Sequence, residues 1–184
     1  MSDTGREKKN FKRKAEATMK KLFVTVGTTQ FDTLIKAISS EKTLHALSEL
    51  GFTHVTLQTG RGEIQPQDQP RDKTSPALTC YGLKNSILED IQAADLVISH
   101  AGAGSILDAL GCGKKVLVVV NEELMGNHQT ELAEALARQG YLHFCGVSSL
   151  LTSLREMDYS NLVPFPSGEP QKFAEHLDHV LGFS

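Results

Sequence analysis

The chain has 184 residues, 40% of them apolar, with no Trp and a formal net charge of −3, a length that supports one globular domain with a full core. Up to Lys21 eight Lys/Arg face three Asp/Glu, while the remainder holds eleven against nineteen, an acidic body that excludes gripping a nucleic-acid backbone with clustered cations. No apolar run reaches the ~20 residues of a spanning helix, the basic start leads into polar sequence and not into a secretory core, and Cys80, Cys112 and Cys145 are scattered without a CxxC pair, which fits a reducing compartment better than a disulfide framework or a zinc site.

Residues 1–20 read as a polar, basic tail without periodicity and hence as disordered, with Met19 an alternative start. Leu22–Val26 is the first strand, closing on Gly27, Thr28 and Thr29. Asp32 reads as the N-cap of a helix carrying Leu34, Ile35 and Ile38, and a second helical piece through Leu44, Leu47 and Leu50 stops at Gly51. Val55–Thr59 is a strand stopped by Gly60, residues 61–76 form a long loop rich in Pro, Gln and Asp, and Leu78–Tyr81 is a short strand. Ser86–Ala94 predicts a helix with Ile87, Leu88 and Ile91 on one face. Leu96–Ser99 and Lys115–Val120 are apolar runs without alternation, as in strands covered on both faces. Between them His100–Ser105 opens a helix carrying Ile106, Leu107 and Leu110. Asn127–Gln139 is a helix ended by Gly140, Leu142–Cys145 the last strand, and helical segments follow near 150–154 and 171–181. The alternation predicts one α/β domain over 21–184, a Rossmann-like, doubly wound and mostly parallel sheet. Ligands of such sheets sit at the carboxyl ends of the strands, so the loops that follow strands carry the function.

The strongest of these loops is Ser99-His-Ala-Gly-Ala-Gly-Ser105, between a buried strand and a helix. Small residues let a ligand approach the backbone, and the helix start turns free N–H groups and a positive dipole end toward an anion. The plain alternative is a tight turn that needs glycine. The dinucleotide fingerprint is not met, since its third glycine falls at Leu107, and Gly113-Lys-Lys115 is not a P-loop. Asp108, one turn into the helix, suits a ribose diol or, equally, serves the helix dipole as a first-turn acid. Gly27-Thr28-Thr29 offers N–H groups and hydroxyls at the same edge, or simply turns the chain. Asn127, His128 and Gln129 concentrate donors and acceptors suited to sugar hydroxyls, or act as a cap and a solvated surface. His176 and His179 read as a solvated face and the cysteines as core.

Together, Phe23–Thr29, Asp95–Ser105 and Asn127–Gln129 resemble a known family over the chain from about Lys20 onward. It is the soluble subunit of the eukaryotic UDP-N-acetylglucosamine transferase that adds the second sugar to dolichol-pyrophosphate. The family is similar to the carboxyl-terminal half of the bacterial transferase that makes the lipid-linked cell-wall disaccharide. The resemblance implies the donor-binding half of a GT-B glycosyltransferase. It implies that Gly27, Thr28 and Thr29 lie near the diphosphate and that His100, Ala101, Gly102, Ala103, Gly104 and Ser105 form the phosphate-binding turn. Asp108 matches the acid that holds the ribose hydroxyls, a Glu in the bacterial relatives. His128 and Gln129, beside Asn127, match paired glutamines at the donor sugar, and the Tyr81–Leu83 strand end lies where uracil is read.

The reaction so implied is inverting transfer of N-acetylglucosamine from UDP-N-acetylglucosamine to N-acetylglucosaminyl-diphosphodolichol, with no metal and no cofactor beyond the donor. No lysine- or arginine-rich clamp competes with the helix N–H groups for the departing UDP. The acceptor and the base are expected on a membrane-anchored partner subunit that recruits the chain to the cytosolic face of the endoplasmic reticulum. A helix over 170–182 places Phe173, Leu177, Val180 and Leu181 on one stripe, for that partner or for packing within the chain. A non-catalytic nucleotide-sugar-binding regulator and a small oxidoreductase are the rival readings, the second disfavoured by the missing GxGxxG.

Overall fold

A computed structural model describes residues 19–122 and 128–166, with the side chains of His128 and Gln129 outside the description. The elements in chain order are β1 (Lys20–Thr25), α1 (Asp32–Ser39), α2 (Glu41–Glu49), β2 (Phe52–Gln58), β3 (Ala77–Tyr81) and α3 (Leu88–Ala93). They continue with β4 (Leu96–His100), α4 (Ala103–Gly111), β5 (Lys115–Val120), α5 (His128–Arg138), β6 (His143–Gly146) and α6 (Leu150–Glu156). The strands form one sheet in the order β3-β2-β1-β4-β5-β6. Every neighbouring pair is parallel, so the expected mostly parallel sheet is wholly parallel among the described residues.

The unalternating apolar runs have their reason in two separate cores. Leu22, Val24, Leu96, Ile98, Leu117 and Val119 face one side, with α1, α2 and α6. Phe23, Val97, Val116 and Val118 face the other, with α3, α4 and α5. Each fully buried Leu, Ile or Phe contributes about 2 kcal/mol of transfer free energy, so the central strands β1, β4 and β5 have no tolerant face over their buried lengths, whereas edge strand β3 leaves Thr79 exposed.

Three local expectations need correction. Asp32 is not the N-cap of α1: Phe31 holds that position without a side-chain cap, and Asp32 is the first helical residue. Its carboxylate instead accepts from Gln30 Nε2 at 2.7 Å and from the backbone N–H groups of Ile64 at 3.1 Å and Glu63 at 3.3 Å. The loop after β2 crosses the helix start and brings amides that a carboxylate satisfies better than its own helix does. These bonds, that of Gln30 first, hold the Asp32 carboxyl below its ordinary range. Helix α3 starts at Leu88, two residues late, because the Ser86 hydroxyl accepts from the Leu88 N–H at 3.2 Å. Of its expected apolar face only Ile91 is buried, and Leu88 is 44% exposed. The last strand is shifted by one residue, to His143–Gly146.

Candidate functional site

Neighbouring strands β1 and β4 sit where the strand order reverses, so the chain leaves their carboxyl ends in opposite directions and opens a crevice. A cleft of about 540 Å³ occupies that crevice. One wall holds Gly27, Thr28, His100, Gly102, Gly104, Ser105 and Asp108, and the facing wall runs from Leu83 to Leu88, with Gln58 between them.

The first wall is backbone packed on an imidazole. His100 ends β4 at 8% exposure. A Cβ on Gly102 would stand 2.2 Å from its Nε2, and one on Gly27 would stand 2.7 Å from its Cε1. Gly27 also has φ +61°, a left-handed conformation that disfavours any side chain. Nδ1 of His100 is buried without a hydrogen-bond partner. Burial pushes the imidazole pKa down, against a smaller opposing effect of the Thr25 backbone, so the ring is neutral at pH 7.

Helix α4 opens from Gly102, which lacks a side-chain cap. The first intrahelical bond runs from the Ile106 N–H to the Gly102 carbonyl at 3.2 Å, which leaves the N–H groups of residues 103–105 without an intrahelical acceptor. Gly104 differs from its neighbours: a Cβ there meets nothing within 4 Å. The fold does not require that glycine, whereas a ligand pressed on the helix start would. Asp108 is exposed on the cleft side and is the sixth residue of α4, beyond the first turn, so the dipole reading of its carboxylate fails.

The second wall is made of side chains. Leu83 is 57% exposed, Ile87 is half-buried, and with Leu88 they present an apolar surface to the cleft. Behind it the Tyr81 hydroxyl donates to Asp90 at 2.6 Å, and Lys84 bridges to the same carboxylate at 3.0 Å, 5.6 Å from the centre of the Tyr81 ring. Burial, then the Asp90 contact, drives the Tyr81 phenol above its ordinary range. Lys84 thus puts a cation beside a cleft for which no basic clamp was expected. Gln58, 2% exposed, joins the walls: its Nε2 donates to the carbonyls of Gly27 at 2.6 Å and Gly82 at 3.0 Å.

Of the residues singled out in the sequence, the fold gathers Gly27, Thr28, His100, Gly102, Gly104, Ser105 and Asp108 at one cleft. Ala101 is buried in the core behind the turn, and Ala103 is exposed outside the lining. Thr29 turns its hydroxyl back to the Val26 carbonyl at 2.8 Å, closing the β1 turn. Asn127, the side chains of His128 and Gln129, the tail up to residue 18 and the stripe of Phe173, Leu177, Val180 and Leu181 lie outside the described residues. Sequence reading passed over Gln58 and Lys84. A lone amide closing an otherwise β-forming run was the available signal for the first; nothing local marked the second.

A model of the glycosyltransferase family 28 C-terminal domain matches residues 21–180. UDP-N-acetylglucosamine transferase subunit ALG13 of Homo sapiens is 51% identical over 127 residues, which cover 69% of this chain and 11% of the human protein. The Saccharomyces cerevisiae protein of the same name is 33% identical over 194 residues, covering 88% of this chain and 96% of the yeast one. The NMR solution structure of ALG13 superposes with a TM-score of 0.65 at 28% identity, covering 86% of this chain and 94% of that one. MurG of Acinetobacter baumannii shares the fold, with a TM-score of 0.56 at 21% identity over 83% of this chain and 45% of its own. The chain therefore spans about a tenth of the human relative and nearly all of the yeast one. It belongs to the glycosyltransferase family 28 C-terminal domains, among the UDP-N-acetylglucosamine transferase subunits, and its fold is the carboxyl-terminal half of a GT-B enzyme.

Proposed function

We propose that residues 21–184 are the donor-binding unit of an inverting UDP-N-acetylglucosamine transferase that acts only with a separate, membrane-anchored subunit. That partner holds N-acetylglucosaminyl-diphosphodolichol as acceptor, and the pair works at the cytosolic face of the endoplasmic reticulum. The observation that carries the reading is the uncapped start of α4 at the strand-order reversal, with Gly104 open to the cleft.

The N–H groups of Ala103, Gly104 and Ser105, the positive end of the helix and the exposed Thr28 accept the diphosphate and stabilise it as it departs. His100, neutral and fixed between two glycines, sets the floor of that turn. Asp108 accepts hydrogen bonds from the ribose diol, and the apolar face of Leu83, Ile87 and Leu88 covers the uracil ring. Asn127, His128 and Gln129 meet the sugar. The diphosphate charge is met by backbone N–H groups and the helix dipole, so the reading needs no metal. Direct displacement at the anomeric carbon also needs a base beside the acceptor hydroxyl, and that base belongs to the partner. Among the described residues no helix is long and apolar enough to cross a membrane.

Calorimetry with UDP-N-acetylglucosamine and with NAD, followed by transferase assays with and without the membrane partner, tests this reading. Binding of the UDP-sugar alone and activity only in the complex are expected. Activity of the isolated chain would overturn the two-subunit reading, NAD binding would favour an oxidoreductase, and donor binding with an inert complex would favour a regulatory module.

A further inference from the structure

We infer that Gln58 is a positioning residue which sets the width of the nucleotide cleft by holding its two walls on one buried amide. Gln58 closes β2, the strand that lies between β1 and β3 in the sheet. At 2% exposure its polar atoms depend on protein partners. Oε1 accepts from the Thr25 hydroxyl at 2.5 Å, and that hydroxyl oxygen itself accepts the Gly27 N–H at 3.0 Å. Nε2 spends its two hydrogens on the carbonyls of Gly27 and Gly82. The amide orientation is dictated chemically, since two carbonyls can be met only by the NH₂ end.

Gly27 is the second residue past β1 and Gly82 the first past β3. Gly27 leads into the phosphate-side wall through Thr28, and Gly82 leads into the apolar wall that starts at Leu83. Past the strands the Arg61 N–H still reaches the Thr29 carbonyl at 3.0 Å and the Thr59 N–H the Tyr81 carbonyl at 2.9 Å, each joining the β2 end to one side, whereas the Gln58 amide bonds to both wall-bearing loops at once. A nucleoside diphosphate must touch both walls at once, and its affinity depends on their spacing. Leu at this position matches the volume but bonds to neither wall. Asn keeps the amide but is one methylene short, so it reaches one carbonyl and not both.

This role rests on the donor-site reading above, and the test separates the two. In the full-length chain, Gln58→Leu and Gln58→Asn are compared with the unaltered protein and with Thr25→Val, which spares both wall bonds. NMR order parameters, measured without ligand, are expected to fall together at Gly27–Thr28 and Gly82–Asn85 in the Gln58 variants, with the rest of the sheet unchanged. Calorimetry is expected to show UDP affinity lowered about tenfold by Gln58→Leu, less by Gln58→Asn and least by Thr25→Val. Inorganic pyrophosphate, which needs only the first wall, should lose less than UDP. A purely structural role would lower the folded fraction and leave the affinity of the folded protein unchanged, which would overturn the inference, as would loosening of only one wall. If the unaltered chain bound no UDP while the order parameters still fell together, the wall-spacing role would stand and the donor reading would fail.

Discussion

The wall formed by Gly27, Thr28 and the start of α4 is backbone laid on the His100 ring, whereas the wall from Leu83 to Leu88 is side chains that leave the core. Both face one cleft, yet they answer to different constraints. On the first, Gly27 and Gly102 are fixed by contacts inside the protein, so changing them is a folding event. On the second, exposed leucines have little to lose in stability. Gly104 breaks the pattern of its own wall, because nothing in the protein occupies the space its missing Cβ would take. Residues fixed by the fold and a residue open to the cleft are thus interleaved in one six-residue turn.

That contrast can be broken by paired substitutions. Gly102→Ala sets a methyl against a buried imidazole and is expected to cost about 2–3 kcal/mol in urea unfolding. In a His100→Ala background the same change should cost almost nothing; an equal cost in both backgrounds would falsify the assignment of Gly102 to the His100 contact. Gly104→Asp should act oppositely, leaving the melting temperature near that of the unaltered protein and lowering UDP affinity by about two orders of magnitude, since it puts a carboxylate where N–H groups meet an anion. On the facing wall, Leu83→Ala is expected to change stability by less than about 0.5 kcal/mol and to weaken uridine and UDP about equally, with pyrophosphate unaffected in titrations. A loss confined to pyrophosphate would exchange the roles of the two walls.

The smallest effect concerns pH. His100 has its pKa lowered in the folded protein, so between that value and the ordinary value of about 6.5 the unfolded chain binds more protons. Stability therefore rises with pH across that window. The contribution is complete above pH ~6.5 and shrinks as pH falls toward the lowered folded value. Urea midpoints measured down the acid range should show this slope and lose it in His100→Ala; a variant with an unchanged slope would move the effect to another group.

Much of this was legible in the linear pattern. Lys115–Val120 is a strand to the residue, and Gly51 and Gly140 end helices with positive φ. The His100–Ser105 turn stood out because small residues between a buried run and a helix have few other uses. Asp32 misled because a carboxylate ahead of an apolar stripe looks like a cap, and only the fold brings the amides of Glu63 and Ile64 to it. Ile87 and Leu88 looked like core for the same reason: periodicity marks apolar residues without saying whether protein or cleft covers them. Gln58 carried no local signal beyond its polarity, since its three partners lie 24 to 33 positions away.

The sequence by itself determined the doubly wound parallel sheet, the loops at its carboxyl edge and the family, because strand burial, helix period and short motifs are written in neighbouring residues. Tertiary structure alone decided which glycines serve the fold and which stand open, that Leu83, Ile87 and Leu88 line the cleft, and that one buried amide spans the two walls. Those properties depend on atoms from β1, β2, β3 and β4 meeting at a strand-order reversal, and a meeting in space between distant segments leaves no period to read.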